Sequence, residues 1–226
     1  MSQRIPGIPN PDARIDTIVE NAEKIFPGDL IYYYQVVMKH ARNLRNEYHN
    51  FRHMFYVMWA CHQGCLYHRE RLLPRDIRNI HIAALFHDFD HSGRTGHDDL
   101  EITRALRALR KHLHAEDASD APAIEEMICA TQFPYKTDGV ELSLSAQILR
   151  DADMSQTFSV SWIQQVVFGL GEEMGQEPRQ MLVMQPGFLR SIRFLTPWGQ
   201  EAFPQSLIDA KIEESQGLLR LLDVQV

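Results

Sequence analysis

Cysteine is scarce in this chain. Cys61, Cys65 and Cys129 are the only three in 226 residues. An odd number makes no disulfide framework and, with no apolar leader after Met1, fits a reducing cytoplasm. Cys61 and Cys65 stand four apart, a spacing open to a metal pair; free cysteine more often behaves as a small core residue, and that reading is preferred. Positive charge is also short: 23 Lys and Arg against 30 Asp and Glu leave a net charge of -7. Such a surface repels anionic membranes and bulk nucleic acid, so neither is an expected partner. No run is long enough for a membrane-spanning helix. Sustained apolar/polar alternation is missing too, which disfavours strands, and there is neither an internal repeat nor a low-complexity tract.

What remains is helical periodicity in a chain able to bury one core. Residues 1–11 carry three prolines and read as an irregular lead-in, with one all-α domain over 12–226. Ile15, Ile18, Val19, Ala22 and Ile25-Phe26 trace a helical stripe ended by Pro27-Gly28. A second helix is expected over 29–44, and a third begins after Asn50, a good N-cap, and runs to about His68. Asp76 is expected to cap a helix through Phe86 that is apolar around nearly its whole circumference and therefore central. Helices are further expected over 98–114, 122–131, 142–151, 155–169, 180–194 and from Pro204 to about Leu222. The polar stretch 115–121 reads as an exposed loop.

Histidine and carboxylate are concentrated in two runs, Tyr48-His49-Asn50-Phe51-Arg52-His53 and His87-Asp88-Phe89-Asp90-His91-Ser92-Gly93, in a protein with eleven histidines. A third cluster, Asp151-Ala152-Asp153, follows about sixty residues on. Neutral imidazole and carboxylate suit a hydrolytic divalent ion. Three separate segments carrying them read as a metal site assembled by folding. His53 lies inside its helix, where packing fixes the rotamer, whereas His49 precedes the cap and can face an open cleft. His87-Asp88 falls at a helix C-terminus, where the dipole favours a cation. Asp153 completes the set, with Asp151 as its neighbour on the solvent side or behind it.

The strings Tyr48-His49-Asn50-x-x-His53, Ala83-Ala84-Leu85-x-His87-Asp88-x-x-His91-x-Gly93 and Ala152-Asp153 resemble the HD-domain metal-dependent phosphohydrolases. Within that superfamily they are most similar to the catalytic domain of class I cyclic-nucleotide phosphodiesterases. The resemblance implies an HD-domain-like bundle of about eight to ten helices. It implies His53, His87, Asp88 and Asp153 as ligands of one or two divalent ions (Mn, Mg, Fe, Co or Zn), with Asp88 bridging and His91 bordering the second. His49 would be the general acid, since imidazole titrates near neutral pH. Glu101, in Asp98-Asp99-Leu100-Glu101, is the candidate partner that orients it. Gln185-Pro186-Gly187-Phe188 is similar to the segment whose glutamine hydrogen-bonds a purine and whose phenylalanine stacks on it; a helix kinked at Pro186 with Phe188 in the core fits equally well.

The expected chemistry is phosphoester hydrolysis by metal-activated hydroxide, on a small-molecule substrate, most plausibly a phosphodiester of a cyclic nucleotide. Arg52 and Lys136 could contact phosphate, although ordinary surface charges are the simpler reading. A 5'-nucleotidase-like phosphomonoesterase is the alternative, followed by a di-iron oxygenase and a non-catalytic metal- or nucleotide-binding module. A homodimer is left open.

Overall fold

The computed structural model describes residues 30–94, 96, 98–135 and 141–222. The lead-in, the stripe from Ile15 to Phe26 and Lys136 lie outside the described residues. Ten α-helices and no strand occur among those described. They are α1 (Leu30–His40), α2 (Phe51–Tyr67), α3 (Pro74–Phe86), α4 (Asp98–His112), α5 (Ala121–Ala130), α6 (Leu144–Met154), α7 (Gly171–Met174), α8 (Pro178–Ser191), α9 (Pro197–Ala202) and α10 (Gln205–Leu222). A π-helix, Ile163–Leu170, runs directly into α7.

Helix α3 is central, as expected: Ile80, Ile82, Ala83, Ala84, Leu85 and Phe86 are fully buried, and the polar Arg78, Asn79 and His81 are buried with them. It packs against α1, α2, α4, α5 and α6. Its start is three residues earlier than expected, because Pro74 supplies a preset φ at the first turn and Asp76 turns back to accept the Leu73 N–H at 2.8 Å. Asn50 is the N-cap of α2, its side-chain oxygen accepting from Arg52 N and His53 N. That bond sets where His53 falls on the helix.

Three expectations change. The helix expected over 155–169 is a 3-10 helix, Ser155–Phe158, followed after a turn by the π-helix Ile163–Leu170. Helix α1 stops at His40 rather than Leu44, because Asn43 uses its side chain to tie other segments together. The polar stretch after His114 is a 3-10 helix, Ala115–Asp120, and its Asp117 is buried against Arg78. Polar composition there conceals a buried ion pair rather than an exposed loop. Cys61 and Cys65 are both buried in the core, as the preferred reading has it.

A second, smaller core joins Tyr48 to Trp162, Val166, Val167, Met181 and Leu182. Its role is to press the π-helix and α8 onto the segment that carries His49.

Candidate metal centre

Three of the expected elements deliver their side chains to one point. His53 comes from the first turn of α2, His87 from the C-cap of α3, Asp88 from the turn after it, and Asp153 from the last turn of α6. His53 Nε2 lies 3.2 Å from both Asp88 Oδ2 and Asp153 Oδ1. His87 Nε2 lies 3.2 Å from Asp88 Oδ2, 3.7 Å from Asp153 Oδ1 and 3.4 Å from His53 Nε2.

The far side of each ring is occupied. His53 Nδ1 donates to Gln156 Oε1 at 2.5 Å and His87 Nδ1 to the Ala84 carbonyl at 2.8 Å. In the neutral rings both Nε2 lone pairs therefore face the carboxylates, the tautomer that metal-binding histidines adopt. Asp88 Oδ2 is buried with no hydrogen-bond partner. Ligands held at about 2.1 Å from one divalent ion sit roughly 3.0 Å apart at right angles and roughly 3.4 Å apart at the tetrahedral angle. The donor set and its spacing fit such an ion.

Electrostatics agree. Burial works against charging His53, but Asp153 and Asp88 outweigh it and push its pKa up to about 10. Burial likewise works against ionising Asp88, yet His87 and His49 hold it well below the usual carboxylate range. The ionised Asp88 carboxylate and the raised pKa of His53 both show that the cluster calls for positive charge.

A second cluster stands beside the first: His49, His91 and Glu173. The His49 ring centroid is 5.8 Å from that of His53, and His49 stacks on His91 at 3.7 Å. Glu173 was invisible in the sequence. Its Oε2 takes His49 Nδ1 at 2.5 Å, while Oε1 accepts the backbone N–H groups of Tyr48 and His49 at 2.7 and 2.9 Å. These bonds outweigh burial and hold its pKa below the ordinary value. Glu101 does not fill this place. Its carboxylate takes Ser92 N, Ser92 Oγ and Arg104, and so braces the loop after His91.

His91 Nδ1 accepts from Gly93 N at 3.0 Å, and burial and then His49 lower its pKa to about 4. It is a neutral ring that shapes the loop and backs His49. Asp151 is not on the solvent side. It is 1% exposed and accepts from Leu195 N, Thr196 N and Thr196 Oγ1, anchoring α6 to the start of α9. Gln185 is buried on α8 with Oε1 3.5 Å from Thr157 Oγ1, and Phe188 is half-buried against the main core. Thr157 follows Gln156, so a short path joins Gln185 to the His53 ring.

Asn43 is the other residue that sequence reasoning passed over. Its amide donates to the carbonyls of His49 and Asp88, both at 2.8 Å, and its oxygen accepts Asp90 N at 3.0 Å. One side chain thereby fixes the two histidine runs relative to each other. Asp90 has a φ of 63°, a left-handed conformation that aspartate tolerates better than most residues. The turn it makes leaves Asp88 and His91 pointing into the site.

Gly169 lets Glu173 approach. A Cβ there would meet the Glu47 carbonyl oxygen at 2.6 Å. Gly169→Ala is expected to cost about 1–3 kcal/mol, because backbone rather than a pliable side chain must move. Urea unfolding of the variant at the wild-type midpoint would show that this approach is not needed.

No protein-family model matches the chain, and no curated protein sequence matches it. Solved structures do. The phosphodiesterase domain of the RhoPDE fusion protein from the choanoflagellate Salpingoeca rosetta matches with a TM-score of 0.67 and 16% identity, over 96% of this chain and 95% of that one. LmjPDEB1 in complex with IBMX matches with a TM-score of 0.63 and 17% identity, over 90% and 85%. The phosphodiesterase domain of Salpingoeca rosetta rhodopsin phosphodiesterase gives 0.63 and 15%, over 93% and 90%. The chain thus has the all-α fold of these phosphodiesterase domains.

Proposed function

We propose that the protein is a metal-dependent phosphohydrolase that cleaves a phosphodiester, with a cyclic nucleotide as substrate class. The observation that carries this reading is two imidazole Nε2 atoms and the carboxylates of Asp88 and Asp153 meeting at 3.2–3.7 Å, with an acid–base histidine alongside. One or two divalent ions bound there supply water activation and charge neutralisation on the phosphoryl oxygens.

The chain's own residues do the rest. Glu173 fixes the His49 ring through Nδ1, which leaves Nε2–H to protonate the departing oxygen. The His49 side chain is 20% exposed, whereas the ligating histidines are 1% exposed, so it alone of the three has room for a leaving group. Gln185 and Phe188 are the residues for base recognition, with the glutamine amide able to donate and accept at one purine edge. Those neighbours whose names call them phosphodiesterase domains are consistent with the reading.

A phosphoester panel with added Mn, Mg, Fe, Co and Zn tests it. Metal-dependent cleavage of bis(p-nitrophenyl) phosphate and of cyclic nucleotides is expected. Activity confined to monoesters would move the protein to the nucleotidase-like alternative, and turnover of nothing at all would sink the enzymatic reading. Glu173→Gln should retain metal yet lower kcat about 10–100-fold, because the acid–base His49 loses the carboxylate that orients it. An unchanged kcat with unchanged metal would remove Glu173 from the machinery.

A further inference from the structure

Arg150 has no part in the chemistry so far, yet it lies three residues before Asp153 on α6, a spacing that makes the two side chains neighbours on one helix face. Its guanidinium carbon sits 3.2 Å from the centroid of the Tyr135 ring. Arg150 Nε is buried with no hydrogen-bond partner, and no carboxylate pairs with Arg150 among the described residues. Tyr135 Oη is buried without a hydrogen bond of good geometry, and the Arg150 guanidinium is its polar neighbour. Burial and the nearby charge of Asp153 keep this phenol protonated, so it remains a donor. The Tyr135 segment is itself held in place: Asp98 accepts Phe133 N at 2.7 Å, and the Phe133 ring packs edge-on against Tyr135 at 5.3 Å.

A guanidinium lying over an aromatic ring can keep N–H groups free at its edge, and such an edge takes two oxygens of a phosphate at once. Two unsatisfied donors side by side next to a metal-ligand carboxylate are a cost that a protein carries when an acceptor arrives from outside. We propose that Arg150, propped on Tyr135, binds a phosphate dianion at the metal centre. A phosphomonoester substrate and the monoester product of a diester share that group. The inference rests on the phosphohydrolase reading only for the identity of the metal-bound reaction, and the binding itself can be tested without turnover.

Manganese-loaded wild type, Arg150→Ala and Arg150→Lys are titrated with inorganic phosphate by calorimetry after their metal content is measured. Phosphate affinity is expected to fall about tenfold or more in Arg150→Ala with metal content unchanged, and lysine should restore little because it lacks the planar fork. In kinetics, KM for p-nitrophenyl phosphate, or the inhibition constant of phosphate against bis(p-nitrophenyl) phosphate cleavage, should rise by a similar factor. KM for the singly charged diester should change less than threefold. Turnover of p-nitrophenyl phosphate identifies the substrate as the source of the dianion; inhibition alone identifies the product. Equal phosphate affinity in folded, metal-loaded Arg150→Ala overturns the proposal, as does an equal loss on diester and monoester or failure of wild type to bind phosphate. Wild type that binds phosphate but hydrolyses nothing would count against the proposed function and leave this binding site standing.

Discussion

Asp88→Ala is expected to lose both bound metal and hydrolysis, with turnover down on the order of 10³-fold or more, about 4 kcal/mol of transition-state stabilisation. Asp88 Oδ2 lies 3.2 Å from two imidazole nitrogens and has no hydrogen bond of its own, so it contributes little except charge and a ligand oxygen. Asp88→Asn separates these from packing, because it keeps the volume and removes the charge, and it should fail almost as badly. Metal binding also links to stability. A free ion concentration a hundred times its Kd stabilises the folded state by about 2.7 kcal/mol. That corresponds to a melting-temperature rise of roughly 5–10 °C for a chain of this size. The rise should be present in wild type and absent in both Asp88 variants. His49→Ala offers the contrast: metal content and the thermal shift should persist while the rate falls, most for esters with poor leaving groups. Full metal content and full activity in Asp88→Ala would make the cluster structural.

The four residues of the candidate centre are legible in the sequence because each belongs to a short run whose spacing survives any helical fold. Asn50 caps α2, and that alone places His53 on its first turn. His87 and Asp88 could be located because the apolar run of α3 has to end where water begins. Glu173 could not be found in this way. It reaches Tyr48 and His49 across more than 120 residues, from a helix whose start is a π-helix, and the wider turn scrambles the 3.6-residue rhythm used to read faces. Asn43 escaped for a related reason. In sequence it stands seven residues after the buried Val36, as one more residue of the expected helix, and only folding brings the carbonyls of His49 and Asp88 to the same amide. Glu101 has the chemistry of such a partner, but its geometry commits it to Ser92.

The second large effect lies away from the metal. Asp117→Ala should destabilise the fold by about 3–5 kcal/mol, the range for removing one partner of a buried pair and stranding the other charge. Arg78 Nε and Nη2 meet the two Asp117 oxygens at 2.7 and 2.9 Å, with both side chains about 5% exposed. Tyr33 Oη donates to the same carboxylate at 2.5 Å, and His114 N donates to that hydroxyl at 3.1 Å. Removing the carboxylate leaves a guanidinium and a phenol inside the protein with nothing to accept from them. The sequence makes α3 apolar around nearly its whole circumference and the segment after His114 a loop, and each expectation hides the other's partner. The pair also predicts a pH dependence. Burial disfavours the Asp117 carboxylate, but Arg78 and Tyr33 outweigh it and hold the pKa below its ordinary value of roughly 3.9. The stability it contributes is therefore complete above that ordinary value and is lost as pH falls through the lower folded value. Denaturant midpoints of wild type and Asp117→Ala should accordingly differ most near neutral pH and converge in acid. A constant difference down to low pH would mean that the loss comes from packing and not from the buried charge pair.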